Sequence, residues 1–478
     1  MPKWTRAAAI AVLALLFAVN VWRARTQSIT IDEAFTYNLY LTTPWKDIFT
    51  HYDANNHVLY TLLARTAVRW FGRSEFAFRL PSLLAGLLYF WAVYRLARLL
   101  FGTGLLFLLA LGITCLNPYV LDFFSAARGY GLALALFLWG LLELTRYLAG
   151  AREHAACALY RGGVAFGLAV AANLTILFPV SAALVVFAGM RLAESGLAGL
   201  GSVIDNLALP ALVVAALILI LPLAHAGTEN FYYGSKSLSE TSLSLVYASA
   251  IHHPEPGIER LGPAVLWVAY KVIPALFGVL GLWWLVMPWL RQTASQGIFL
   301  LTGSLMLTLA LADAAHRTLG ILFPMGRTGL YLPVLFGLTL VGLVQQSWSH
   351  RWSRVPAAIL AAALVLLTGW FLARWNVRVY SDWPFDATTR SLVERIRARR
   401  DGPGTRVGGT WQLEPSLNFY RHLWRLDWMQ PLVRGPADGE FDYYVLLPED
   451  AGVVEKRRLE VIYRSELSGA TLAAPRGR

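Results

Sequence analysis

Residues 7–40 read "AAAIAVLALLFAVNVWRARTQSITIDEAFTYNLY". An apolar run over about 7–22 ends in arginines, and an acid pair, Asp32 and Glu33, opens the tract beyond it. Lys3 and Arg6 precede the run, as in a secretory leader, but no small-x-small cleavage site follows and Arg23 and Arg25 come directly after. That pattern is an uncleaved membrane anchor leading into a polar loop. The rest of the chain repeats it. Of 478 residues, 57% are hydrophobic and 15% charged, against about 25% charged in soluble domains. Mean hydropathy is +0.51. In water such a chain would expose far more apolar surface than a soluble monomer tolerates, so it is a polytopic membrane protein.

Working outward, about eleven segments are apolar and long enough to cross or nearly cross a bilayer. They lie near 7–22, 80–94, 104–121, 129–148, 162–178, 179–190, 207–223, 263–288, 297–312, 329–346 and 355–373. The two flanking Pro179 form either two spans or one kinked element. Lys3, Arg6, Arg95, Arg98, Arg146, Arg152, Arg161, Arg191, Arg291, Arg351 and Arg354 fall in short connections on one side if the N-terminus is cytoplasmic, as the positive-inside bias favours. The other face then receives loops at about 23–79, 224–262 and 313–328 and the tail. Asp32, Glu33, Asp47, Asp53, Glu75 and Asp122 share that face, so acid–base chemistry is expected there.

Residues 374–478 change character. "DATTRSLVERIRARR" has the period of an amphipathic helix, and "TRVGGT", "FDYYVLLP" and "LEVIYRSEL" that of short strands. The expected fold is an all-α polytopic membrane protein, a transmembrane domain over 1–373, with a small C-terminal α/β soluble domain over 374–478 outside the membrane. The net charge of +12 is spread over short loops. It suits anionic headgroups and forms no basic groove, so nucleic acid is not a partner. The two cysteines, Cys115 and Cys157, make neither an expected bridge nor a standard zinc site.

Four stretches carry polar chemistry. Thr30 and Glu33 match a capping box, and Asp32 in a first helical turn suits the helix dipole or a general base. "HYDANNHVLYTLL", residues 51–63, sets Asn56 and His57 before an amphipathic stretch expected to lie in the membrane interface. The spacing of His51, Asp53 and His57 is no recognised metal pattern. "FFSAARGYGLAL", residues 123–134, puts Arg128 and Tyr130 at the mouth of a span, where a charge either snorkels to headgroups or works. "FPMGRTGLYLPVL", residues 323–335, puts Tyr331 one turn after Arg327, and a guanidinium beside a phenol suits a phosphate. "NFYYG" (230–234) and "HHPEP" (252–256) occupy the second outer loop.

Taken in order, "TIDEAFTYNLY", the Asn/His-bearing helix, "SEFAFRLPSLLAG", "SAARGYGLAL" and "GRTGLYLPVL" resemble the GT-C membrane glycosyltransferases. The resemblance is to the branch of protein O-mannosyltransferases and bacterial aminoarabinose transferases, and covers about residues 1–350. It implies a sugar donor carried on a polyprenyl phosphate and a catalytic Asp in the first outer loop, here Asp32 with Glu33 as its neighbour. The polar stretches supply the expected substrate contacts, Asn56, His57, Arg128, Tyr130, Arg327 and Tyr331, with a lipid, glycan or protein hydroxyl as the expected acceptor. No cofactor is required, though a divalent cation stays open. The location implied is a bacterial inner membrane, with the C-terminal domain periplasmic. Relatives often have prolines after the histidine, whereas Val58 and Leu59 stand here. The rival classes are a lipid or sugar transporter, or a non-catalytic membrane assembly protein working through its tail.

Overall fold

The computed structural model describes residues 3–150, 155–227, 232–252, 258–286, 293–349, 351–399 and 402–477. Residues 230 and 231 of "NFYYG" and 253–256 of "HHPEP" lie outside these. Among the described residues, eight helices are long and apolar enough to cross a membrane. They are Trp4–Thr26, Glu75–Phe101, Gly129–Leu148, Leu174–Ala224, Gly262–Val286, Ser295–Leu319, Gly326–Ser347 and Arg351–Ala373. The fourth runs 51 residues, long enough for two passes of about 20 residues each. It turns at Gly196, whose φ of 60° and ψ of −150° leave the helical region. With the shorter apolar helices Leu105–Cys115 and Ala156–Ala172, every segment read from the sequence has its helix.

One boundary moves. The break expected at Pro179 falls at Asn173 instead, whose side chain accepts from the Thr175 amide at 2.9 Å. Pro179 is the third residue of the helix Leu177–Val203. First-turn amides have no intrahelical partner, so a proline there breaks nothing.

The amphipathic stretch forms the helix Val58–Phe71, which buries Tyr60, Thr61 and Ala64 and exposes Trp70 and Phe71. Deeper in the bundle, a Cβ on Gly140 would meet the Phe166 ring at 2.3 Å. Only a glycine lets those two helices approach so closely.

The C-terminal region builds a four-stranded sheet in the order β1-β2-β4-β3. Its strands are β1 (Val407–Gly409), β2 (Tyr443–Leu446), β3 (Leu459–Arg464) and β4 (Thr471–Pro475). β1 and β2 are parallel, and β4 runs antiparallel to both its neighbours. The short "TLAAP" of β4 carries no sequence signal and was not expected. Helix Glu414–Leu423 packs against helix Thr389–Arg399 and against the loop helix Ile31–Thr36. Tyr420 fastens the two parts: its hydroxyl donates to the Glu75 carboxylate at 2.5 Å and accepts from the Ile29 amide at 2.9 Å. Asn38 donates to the Pro415 carbonyl at 3.0 Å, and Asp386 accepts from the Ile31 amide at 2.6 Å. The loop between the first two spans is thus held between the bundle and the C-terminal domain.

Candidate active site

The adjacent acids part company. The capping box forms as expected: Thr30 Oγ1 accepts from the Glu33 amide at 3.3 Å, and Glu33 Oε2 accepts from the Thr30 amide at 2.9 Å. Glu33 is fully buried and gripped by Arg79, Nε to Oε1 at 2.8 Å and Nη2 to Oε2 at 2.7 Å. The Ala127 amide adds a bond to Oε1 at 2.5 Å. Arg79 also donates to the carbonyls of Gln27 and Ser28, at 2.7 and 2.8 Å. Glu33, expected beside Asp32 as a catalytic group, therefore has no oxygen free for chemistry. It ties the loop start, the "RLPSLLAG" helix and the Arg128 turn together.

Asp32 points elsewhere. Its Oδ2 lies 3.1 Å from Arg327 Nη2, with both side chains partly exposed. No hydrogen bond reaches that oxygen among the described residues, so a lone pair stays available for a proton. Arg327 meets a second carboxylate on its Nη1, Asp382 at 3.3 Å. Tyr119 donates its hydroxyl to the same Asp382 oxygen at 3.2 Å. The guanidinium lies 4.5 Å from the Tyr233 ring centre and 5.5 Å from that of Trp383. Burial raises the Asp382 carboxyl above the ordinary carboxylate range, against the opposing pull of Arg327.

Arg128 underlies this pair rather than facing it. Its Nη1 donates to Thr36 Oγ1 at 3.0 Å and to the Asp32 carbonyl at 3.1 Å, and its Nη2 to Asn55 Oδ1 at 3.0 Å. With 1% exposure it holds the backbone of Asp32 and is not the open substrate contact that the sequence led one to expect. The turn beneath it needs Gly129, where a Cβ would meet the Ala172 carbonyl at 2.2 Å and the His57 Cβ at 2.7 Å. Asn56 is a second correction. It donates to the Ile48 carbonyl at 3.0 Å and accepts from Thr61 at 3.1 Å, so its neighbour Asn55 makes the contact with Arg128.

His57 is buried with Nδ1 3.0 Å from Asn173 Nδ2. The Asn173 carbonyl oxygen already accepts from Thr175, so its amide donates and His57 carries its proton on Nε2. Burial first, then Arg128 and Arg327, hold its pKa well below the usual range, and the ring is neutral. Nε2 has no partner among the described residues. Tyr130 packs edge-on against the ring at 4.7 Å. Tyr331 does not join the group: its hydroxyl is buried with no partner among the described residues. Arg327 lies on the short turn Gly326–Gly329 before the helix that starts at Tyr331.

Beside this centre lies an apolar cavity of about 580 Å³ walled by Leu238, Leu245, Val265, Phe277, Leu332 and Phe336. Asn117 and Ser249 provide polar wall, joined at 3.1 Å. The two spaces share elements. Asn117 caps the short helix that carries Tyr119. Ser244, on the cavity helix, accepts from the amide of Gly326, next to Arg327, at 3.0 Å. A buried acid, Asp122, pairs with Arg23 and accepts from the Ser381 amide at 2.9 Å. Among the described residues no three His, Cys, Asp or Glu side chains gather as a metal site.

No protein-family model matches the chain, and no curated protein does. Solved structures do. ArnT from Cupriavidus metallidurans bound to undecaprenyl phosphate superposes with a TM-score of 0.50 at 12% identity, over 99% of this chain and 98% of that one. ArnT in the apo state gives the same figures. The Archaeoglobus fulgidus oligosaccharyltransferase in the apo form gives 0.42 at 12% identity, over 87% and 64%. The likeness to ArnT shows the fold alone: a helical membrane architecture with a small C-terminal domain, shared with ArnT. It runs through the tail, which the sequence resemblance left out.

Proposed function

We propose that the chain is an integral membrane glycosyltransferase that moves a sugar from a polyprenyl-phosphate-linked donor to a hydroxyl acceptor. One observation carries the reading. Asp32, whose Oδ2 has no hydrogen-bond partner among the described residues, is ion-paired to Arg327 in a polar centre, and an apolar cavity lies on neighbouring elements joined to that centre through Asn117 and the Ser244–Gly326 bond. That pairing suits a ligand with an isoprenoid tail, a phosphate and a reacting carbon between phosphate and base. ArnT, which shares the fold, has been solved with undecaprenyl phosphate bound.

On this reading the tail lies in the apolar cavity and the phosphate on Arg327. The acceptor oxygen attacks the anomeric carbon and forms the new bond, while Asp32 takes the hydroxyl proton. The bond from that carbon to the phosphate oxygen breaks, and its electron pair leaves with the polyprenyl phosphate. The transition state has oxocarbenium character, as in glycoside chemistry generally, and direct displacement inverts the centre. Arg327 balances the charge growing on the leaving phosphate. The buried Arg128 adds a fixed positive field, so no metal is needed for that task. His57 Nε2–H and Tyr130 remain as donors for sugar or phosphate oxygens. The face is extracytoplasmic, in a bacterial inner membrane with the N-terminus inside, and the acceptor is a lipid, glycan or protein hydroxyl.

The test is release of free lipid phosphate from a panel of synthetic polyprenyl-phosphate sugars by purified wild type and Asp32→Asn. Release by wild type and its loss in the folded mutant are expected. Equal release by both removes Asp32 as base; no release from any donor overturns the reaction class.

A further inference from the structure

Arg327 carries two carboxylates on one guanidinium. Asp32 belongs to the first outer loop, and Asp382 reaches the same group from the segment that leads into the C-terminal domain. The proposed reaction gives Asp32 work as a base. It gives Asp382 none. Yet Asp382 occupies Nη1, one of the two amino groups that a bidentate phosphate would take. Adding a phosphate with both acids in place would set three anions around one cation in a largely buried site, an arrangement that like-charge repulsion opposes.

We propose that Asp382 is a stand-in for the donor phosphate: it holds Arg327 in the empty enzyme, yields that place when the lipid phosphate arrives, and takes it back as the lipid product leaves. The inference rests on the reading of Arg327 as the phosphate site. Three observations support it. First, the exchange replaces one negative charge by another, so the guanidinium is never left bare in a buried place. Second, the Asp382 side chain is not sealed in; at 16% exposure it has a route outward. Its backbone is held on either side, since the Ser381 amide donates to Asp122 and Trp383 is buried. Side-chain rotation is therefore sufficient, with no movement of the domain. Third, Tyr119 donates to the Asp382 oxygen that faces Arg327. When the carboxylate swings away, that hydroxyl is left pointing at the incoming phosphate oxygen. Arg327 and Tyr119 thus form one two-donor anion seat, and the C-terminal domain supplies its resident anion.

The exchange has a sign that a merely structural role does not share. Asp382→Asn keeps the shape and an acceptor for Tyr119 but removes the competing charge. It should bind polyprenyl monophosphate about tenfold more tightly than wild type, the scale of one charge-assisted hydrogen bond. Isothermal titration in detergent reads this without any transfer step. Tyr119→Phe should weaken binding. Inorganic phosphate should bind more weakly overall, because it lacks the tail, yet show the same mutant-to-wild-type ratio, because the exchange is with the phosphate itself. A ratio seen with the lipid alone places the effect in the tail site and overturns the exchange. If Asp382→Asn melts early, Asp382→Ser tests the same loss of charge.

Unchanged or weaker phosphate binding by a folded Asp382 variant, with binding abolished by Arg327→Ala, overturns the stand-in and leaves the glycosyltransferase reading intact. Phosphate binding that survives Arg327→Ala removes Arg327 as the phosphate site, and both fall.

Discussion

Two acid–arginine pairs begin at neighbouring residues and are built to opposite ends. Glu33 and Arg79 are both fully buried, joined by two bonds, and surrounded by amides and carbonyls that use every remaining polar atom on the carboxylate. Asp32 and Arg327 meet once at 3.1 Å, side chains partly exposed, with Asp32 Oδ2 and Arg327 Nε without hydrogen-bond partners among the described residues. A buried pair with every valence filled gives the fold its geometry and has no capacity left to bind anything else. An under-filled pair next to a cavity is where a ligand completes the bonding. The contrast separates a clamp from a site using only bonding and burial.

Substitutions should pull the two apart. The largest effect belongs to the open pair. Asp32→Asn should lower the transfer rate by about 10³- to 10⁴-fold, the upper part of the range for a lost general base, with the melting temperature almost unchanged. Glu33→Gln should do the reverse. It leaves Arg79 charged, buried and half-paired, which costs about 3–5 kcal/mol of stability, read as a large drop in melting temperature and in the yield of folded protein. If Glu33→Gln melts like wild type yet transfers no sugar, Glu33 has a chemical role that its bonds do not reveal, and the division between clamp and site fails.

The same contrast explains what the sequence could say. The membrane plan was legible because a span needs a continuous apolar run, and such a run is local. The capping box was legible because Thr30 and Glu33 are three residues apart. Asp32 and Arg327 stood out as charges beside apolar segments. The partners did not. Asp382 lies 55 residues beyond Arg327, in a link with no periodicity, and nothing local tells it from a surface acid. Arg79 was the one missed residue with a usable signal: an arginine inside an otherwise apolar helix demands a partner, and Glu33 supplies it. Asn55 and Asn56 have alike neighbours in the sequence; only the turn, in which the Asn55 amide donates to Asp53 at 2.8 Å, decides which side chain faces Arg128. The ties of the tail to the bundle, Tyr420 and Asp386, are single residues without a motif, so they are not legible in the sequence.

His57 tests the comparison through pH. In the unfolded chain the imidazole takes a proton near pH 6.5, whereas burial and the two arginines hold the folded ring neutral. Below about pH 6.5 the unfolded state therefore binds more protons, and stability falls as pH drops toward the folded value. Wild type should lose about 1–2 kcal/mol between pH 7 and pH 5.5 through this group. His57→Gln should lose less over the same interval, measured by thermal melting in detergent. A mutant that tracks wild type throughout would mean that the folded ring takes its proton as readily as the unfolded one.

The smallest effect is expected at Tyr331, and its sign is informative. Its buried hydroxyl has no partner among the described residues, and an unsatisfied buried hydroxyl costs about 1–3 kcal/mol. Tyr331→Phe removes the hydroxyl and keeps the ring, so the melting temperature should stay level or rise. If the site consists of Asp32, Arg327, Tyr119 and their neighbours, transfer should stay within about twofold, since a residue outside the reacting group contributes no transition-state contact. The alternative outcome is equally specific. A tenfold loss of transfer with a raised melting temperature would mean that the missing partner of this hydroxyl is the substrate itself, and that an unfilled bond away from the Arg327 turn marks a second point of contact with the donor.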